Sequence, residues 1–136
     1  MSETTTRIGV RIYVEDTDAG GIVYHANYLR YMERARTEMM RELGFVKPAL
    51  SDGVQIVISK VQLDFRKPAH LDDWLTVTSQ LRKLTASSMV IAQRIERDGE
   101  LLVDAVLTAV CVAAANQRPV RIPAPMRTAL NTRLAC

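Results

Sequence analysis

Polar and apolar residues alternate from Arg7 to Val14, with Val10, Ile12 and Val14 on one face and Arg11 and Tyr13 on the other. A period of two predicts a half-buried strand. Acidic and glycine residues then form a loop, Glu15 to Gly21. From Asn27 to Leu43 the period changes: Tyr28, Met32, Ala35, Met39 and Leu43 share one helical face, and Arg30, Arg34, Glu38 and Arg41 lie largely away from it. Asn27 is the expected N-cap, and Gly44 the expected left-handed residue past the C-terminus.

The rest reads almost entirely as strand. Val54 to Phe65 is rich in Val and Ile and is stopped by Pro68; Trp74 to Leu84 alternates through Leu75, Val77 and Ser79; Ser87 to Arg97 and Leu101 to Ala114 flank Asp98-Gly99. That dipeptide predicts a type I′ hairpin turn, whose central residues need positive φ. The last segment, from Pro119, holds three prolines and a short helix over Met126 to Leu134, and reads as a surface tail. One long helix followed by hairpin-connected strands predicts an α+β domain in which an antiparallel sheet of about five strands wraps the helix. The last long strand is apolar on both sides: Val103, Ala105, Leu107, Ala109, Cys111 and Ala113 on one, Val106, Val110 and Val112 on the other. A single helix covers only one side, which points to a second copy of the chain.

Composition narrows the class. The chain has 136 residues, 48% hydrophobic and 24% charged, the balance of one ordinary domain spanning 1–136. Lys and Arg outnumber Asp and Glu, 18 − 15 = +3, too weak an excess to argue for nucleic acid. The two cysteines, Cys111 and Cys136, make no disulfide framework and no CxxC pair. Two histidines without a cysteine cluster disfavour zinc. Met1 to Arg7 is polar, without the apolar core of a signal peptide, and Ala105 to Ala115 is too short to span a bilayer. The expectation is a cytoplasmic protein with free thiols and no cofactor, Cys111 being a small core residue and Cys136 incidental.

The candidate chemistry lies before the helix. All four tyrosines, Tyr13, Tyr24, Tyr28 and Tyr31, fall between the first strand and the second helical turn. Among them, Glu15, Asp16 and Asp18 crowd their carboxylates, and Gly20-Gly21 lets the backbone turn tightly and approach a ligand. The loop runs into a helix N-terminus, where free N–H groups favour negative charge. A carboxylate across a glycine turn from such N–H groups suits acyl transfer: the carboxylate attacks or activates water, and the N–H groups stabilise the oxyanion. The same residues also serve as ordinary turn and capping residues. No GxSxG nucleophile is present.

The run Val14-Glu15-Asp16-Thr17-Asp18-Ala19-Gly20-Gly21-Ile22-Val23-Tyr24-His25-Ala26-Asn27-Tyr28-Leu29, followed by Glu33-Arg34-Ala35-Arg36-Thr37-Glu38, resembles the signature of hotdog-fold acyl-CoA thioesterases. The resemblance is closest to the YbgC type, associated with the Tol–Pal system and related to 4-hydroxybenzoyl-CoA thioesterase. Asp64-Phe65-Arg66-Lys67-Pro68-Ala69, Leu71-Asp72-Asp73 and Gln93-Arg94-Ile95 extend it over roughly Val10 to Val112. It implies a hotdog fold, a homodimer or tetramer, and hydrolysis of acyl-CoA to a carboxylic acid and CoA. Asp18 matches the catalytic carboxylate, and the backbone N–H of His25 the group that polarises the thioester carbonyl. The His25 ring is a weaker candidate for positioning or proton handling. Gly20, Gly21 and Tyr24 would contact substrate, and Asp16 would satisfy loop N–H groups.

Glu33, on the helix flank with Leu29, Arg36 and Met40, is expected to form an ion pair with Arg36 rather than to act in catalysis. Lys60, Arg66, Lys67, Arg82 and Lys83 are candidates for the phosphates of CoA, none singled out, and His70 reads as a turn residue. The alternative function is a non-catalytic hotdog interaction protein of the Tol–Pal or phospholipid-synthesis machinery, with acyl carrier protein among its partners. A third, a hotdog dehydratase, needs a His/Glu or His/Asp pair in a different place.

Overall fold

The computed structural model describes residues 4–46, 50–51 and 53–134, so Cys136 lies outside the described residues. The elements are β1 (Thr5–Arg11), α1 (Asn27–Glu42), β2 (Leu50–Ser51), β3 (Val54–Phe65), β4 (Trp74–Leu84), β5 (Ser88–Arg97), β6 (Glu100–Ala113) and α2 (Ala124–Asn131). They form a six-stranded sheet in the order β1-β4-β5-β6-β3-β2, with antiparallel pairing throughout. The sixth strand is the two-residue β2, which alternation could not reveal. Hairpins join β4, β5 and β6, and Asp98 and Gly99 turn the second one at φ 51° and 81°, as expected of the type I′ pair. β3 pairs with β6 and not with its successor β4, so it sits on the far side of the sheet from β1.

α1 packs across the sheet. Its buried residues are Asn27, Tyr28, Tyr31, Met32, Ala35, Met39 and Met40. The helix ends in a closed cap: Gly44 takes φ 96°, its N–H donates to Arg41 O at 3.0 Å, and Phe45 N–H donates to Met40 O at 2.9 Å. These are the paired bonds of a Schellman motif.

The core has two clusters along α1. One gathers Tyr28, Tyr31, Met32 and Ala35 with Leu75, Val77, Ile95 and Val103. The other gathers Met39 and Met40 with Leu81, Met89, Ile91 and Cys111. Between them sits the fully buried Gln93, whose Nε2 donates to Met32 O (2.9 Å) and Ser79 Oγ (2.6 Å) and whose Oε1 accepts from Arg36 Nη1 (2.9 Å). Every hydrogen-bonding direction of the amide that burial would make costly is thereby used.

The inner row of β3 stays apolar because of one extra residue. Ile58 faces Ala109 and Lys60 faces Thr108, leaving Ser59 as a bulge. Past it, Val61, Leu63 and Phe65 pair with Leu107, Ala105 and Val103, the buried face of β6. Ile56, Ile58, Val61, Leu63 and Phe65 therefore share the helix side, while Lys60, Gln62 and Asp64 face outward.

Two expectations are corrected. β1 stops at Arg11, and Val14, assigned to its buried face, is 72% exposed because the chain coils at Val14–Asp16 into a 3-10 turn. The surface tail is no tail: Ile122, Met126 and Leu130 are buried in the second cluster, Ile122 N–H donates to Ala86 O, and Arg127 Nη1 to Thr85 O. Burying each of these three side chains contributes about 2 kcal/mol. The outer face of β6 is only part covered: the C-terminal segment bridges to Val112 at Pro119, whereas Val106 remains 41% exposed. Among the described residues no helix is long and apolar enough to cross a membrane.

Candidate active site

The loop before α1 is organised by Asp16. Its Oδ2 accepts the Tyr13 N–H at 2.8 Å, and its backbone oxygen accepts both Tyr24 N–H (2.9 Å) and Asn27 Nδ2 (2.9 Å). Asp16 thus ties the end of β1 to the start of the helix, the structural part expected of it. Asn27 is not the N-cap. Ala26 is, without any side-chain cap, and the Asn27 amide is spent on Asp16. The buried Tyr31 hydroxyl lies under the same loop without a hydrogen-bond partner among the described residues. Burial pushes its pKa well up, and the nearby Asp16 carboxylate adds to the rise.

Thr17 and Val23 bridge, Asp18 N–H donates to Ile22 O (2.9 Å), and Gly21 N–H returns to Asp18 O (3.1 Å). Asp18 to Gly21 is therefore a tight turn. Gly21 takes φ 82°, a conformation that favours glycine. Asp18 Oδ1 accepts Gly20 N–H at 2.8 Å, and a Cβ on residue 20 would come within 3.2 Å of that oxygen. Asp18 is exposed and has no ion-pair partner among the described residues.

The loop is stitched to the β3–β4 connection. Ile22 bridges to His70, Val23 N–H donates to Ala69 O (2.9 Å), and Ala69 N–H donates to the Tyr28 hydroxyl (3.0 Å). Between the two lies an open pocket of about 270 Å³ lined by Ile22, Val23, His25, Tyr28, Phe65 and Arg66, with Lys67 and Pro68 at its edge. The His25 ring stands edge-on to Phe65 at 6.1 Å. Into the helix, Asn27 N–H donates to Tyr24 O (2.8 Å) and Tyr28 N–H to His25 O (3.4 Å). The helical hydrogen bonding thus begins one turn ahead of Asn27, and the His25 N–H has no acceptor among the described residues.

The far wall is held by charge. Arg97 Nη1 pairs with Asp73 Oδ2 and its Nη2 with Glu100 Oε1, both at 2.8 Å, and Lys67 Nζ meets Glu100 Oε2 at 2.5 Å. Burial raises the Asp73 pKa, but the His70 N–H and the Arg97 guanidinium more than offset it and leave the carboxyl below its ordinary value. His70 is the turn residue expected, its N–H donating to Asp73 Oδ2.

Of the predicted catalytic and substrate residues His25 lines the pocket, and of the basic candidates Arg66 and Lys67 do; Asp18, Gly20 and Gly21 lie on the adjoining turn, and Tyr24 stands 48% exposed beside the His25 ring at 4.7 Å. The Glu33–Arg36 ion pair is not formed. Arg36 turns to Gln93 instead, and burial lowers its pKa while the Glu33 charge partly restores it. Sequence reasoning gave no pocket role to Phe65 and placed Tyr28 only on the apolar face of the helix; an aromatic closing a strand just before Arg66-Lys67-Pro68 was the signal for the first. Among the described residues no group of side chains could hold a metal ion.

Comparison with known proteins bears on what this pocket is for. Residues 12–130 match the model of the thioesterase-like superfamily. The chain belongs to this superfamily. It is 41% identical over 125 residues to the acyl-CoA thioester hydrolase YbgC of Escherichia coli O6:H1, covering 90% of this chain and 93% of the relative. The acyl-CoA thioesterase YbgC of Haemophilus influenzae is 37% identical over 124 residues, covering 90% and 91%. Within the superfamily the chain is thus of the YbgC type, a thioester hydrolase with the hotdog fold. A crystal structure of a probable thioesterase from Bartonella henselae matches with a TM-score of 0.78 at 31% identity, over 88% of this chain and 98% of that one.

Proposed function

We propose that the protein hydrolyses acyl-CoA, with Asp18 as the catalytic carboxylate and the backbone N–H of His25 as the donor to the thioester carbonyl. The observation that carries this reading is the pocket at the start of α1, where His25 lines the wall with its N–H unspent and the Asp18 turn is sewn alongside. A donor fixed before substrate arrives stabilises the developing oxyanion without reorganisation. Asp18 then either attacks the thioester carbon, expelling the CoA thiolate and leaving an anhydride that water cleaves, or removes a proton from the water that attacks. Gly20 and Gly21 keep the turn small enough for substrate to approach. Release of free thiol from acyl-CoA tests the reading, and no release from the folded protein overturns it. Hydroxylamine trapping of an acyl-enzyme separates attack by the carboxylate from activation of water.

The working form in this reading is a homodimer or larger. Among the described residues β2 covers the edge of β3 only at Val54 and Gln55, and none pairs with the edge from Ile56 to Phe65. Ile58, Val61, Phe65 and Val106 leave apolar surface beside it. A long uncovered edge with apolar neighbours invites pairing, and a two-fold copy satisfies it. Sedimentation at micromolar concentration should show a dimer or tetramer; a stable monomer refutes the assembly. The buried free Cys111 suits the reducing cytoplasm.

A further inference from the structure

The Asp18 turn hangs between two anchorages. Ahead of it, the Asp16 carbonyl oxygen accepts Tyr24 N–H and Asn27 Nδ2, which fixes the loop directly to the start of α1. Behind it, Ile22 and Val23 are fixed to the β3–β4 connection, by the Ile22–His70 bridge and by Val23 N–H on Ala69 O. That connection is stiffened from outside: Arg97 Nη1 donates to Pro68 O at 3.3 Å and to Asp73 Oδ2 at 2.8 Å, and Asp73 also accepts the His70 N–H. Its hydrogen bond to the helix is made by Tyr28, whose hydroxyl accepts Ala69 N–H at 3.0 Å. Among the described residues no other hydrogen bond joins α1 to residues 66–73. Tyr28 is 3% exposed, Val23 2% and Ala69 0%, so bulk water does not replace these bonds and losing one is costly.

We propose that Tyr28 is a positioning residue, whose hydroxyl sets the Asp18 carboxylate in register with the His25 N–H through Ala69 and Val23. This role rests on the assignment of Asp18 and His25 above and adds the part that holds the two together. Tyr28 N–H donates to His25 O at 3.4 Å, so the proposed carbonyl donor and the phenol share one helical turn and move as one body. The carboxylate belongs to another segment. Without the phenol, the downstream anchorage of its turn has lost its hydrogen bond to that body. A reacting group misplaced by about 1 Å loses roughly a hundredfold in rate, and a smaller slip through this relay is expected to cost about tenfold. Phenylalanine at position 28 keeps the ring that packs against Tyr31 and Phe65, so the pocket wall survives when the oxygen alone is removed.

The test is steady-state thiol release, per folded molecule, from whichever of butanoyl-, decanoyl- and benzoyl-CoA the wild type turns over fastest. Tyr28→Phe should lower kcat about tenfold and change KM by less than about twofold. Replacing Ala69 by lactate, its α-hydroxy counterpart, turns the 68–69 amide into an ester. This deletes the donor of the same bond, leaves Tyr28 intact and should reproduce the loss in kcat. In an Asp18→Asn background, where no carboxylate remains to be placed, Tyr28→Phe should cost less than about twofold further. Ser79→Ala removes another buried bond, to Gln93 and outside the pocket, and should lower the melting temperature without lowering kcat. Normal kcat in Tyr28→Phe, a rise in KM alone, or the full loss repeated on top of Asp18→Asn overturns the positioning role while leaving the thioesterase reading intact. So does normal kcat in the lactate variant beside a slow Tyr28→Phe, because the phenol then acts on substrate directly. A matching loss of kcat in Ser79→Ala traces the effect to general stability and overturns the role as well. No hydrolysis of any of the three substrates by the wild type overturns both readings. If Tyr28→Phe fails to fold, the lactate variant, alone and with Asp18→Asn, decides.

Discussion

The two ends of α1 are built to opposite specifications. At the C-terminus, Gly44 and Phe45 return their N–H groups to Arg41 and Met40, and the helix is closed by its own chain. At the N-terminus, the cap is Ala26, which has no side chain to offer, and Asn27, the residue chemically fit to cap, is engaged by Asp16. The His25 N–H is left over. A backbone donor without a partner costs stability unless water or a ligand takes it. One end of the helix is therefore optimised for folding, while the other gives up a fraction of that stability and keeps a donor free. The difference leaves backbone donors free at the end of the helix that borders the pocket.

This contrast can be broken or sharpened experimentally. The largest effect is expected at the open end. Asp18→Asn retains an oxygen for the Gly20 N–H but can neither attack nor accept a proton, so turnover should fall roughly a hundredfold or more with the melting temperature almost unchanged. Near-normal turnover in this variant removes Asp18 from the mechanism and makes Glu33→Gln the next substitution to assay. His25→Ala keeps the backbone donor and deletes the ring; kcat should drop on the order of tenfold. A folded His25→Ala as inactive as Asp18→Asn would show that the imidazole, not the N–H, carries the step.

At the closed end the expected effect moves from rate to stability. Gly44→Ala forces a Cβ into φ 96° and should cost about 1 kcal/mol, seen as a melting temperature lower by roughly 3–4 °C with kcat intact. A loss of activity per folded molecule would mean that the two ends are coupled. The smallest change is expected at Asp73, which holds the pocket wall from outside the helix. Its folded carboxyl sits below its ordinary 3.8, so its stabilising share is full above that value and disappears as the pH falls through the lower folded one. The melting temperature of Asp73→Asn should trail the wild type by a degree or two at pH 7, and the gap should narrow as the pH falls below 3.8.

What could be read from the sequence follows the range of the forces involved. β3 and β4 emerge at their observed bounds, and α1 within a residue, because alternation, helical period and Pro68 are local signals. The Asp98-Gly99 turn is equally local. The place of β3 beside β6 depends on pairing across the sheet, which no local period encodes. Three prolines made the C-terminus look like a tail, yet Ile122, Met126 and Leu130 recur every four residues, an apolar stripe that argues for burial. Arg36 had Glu33 within helical reach and chose Gln93, because a buried amide needs a donor more than an exposed carboxylate does. For the candidate site, the loop motif marked a segment that the fold sets beside a pocket. The division of labour between Asp16, which binds the loop together, and Asp18, which is left exposed, depends on where their oxygens point.

Ser59 bears a consequence for how this protein tolerates change. A strand is read two residues at a time, so the bulge acts as a frameshift that is corrected nowhere downstream. Were the ladder to run on unbulged, with Ser59 paired, Lys60, Gln62 and Asp64 would take the inner positions of Val61, Leu63 and Phe65. Pocket wall and inner row would be lost together. Deleting Ser59 would instead leave the pairs on either side of it unchanged, so this strand can lose the residue more safely than it can pair it.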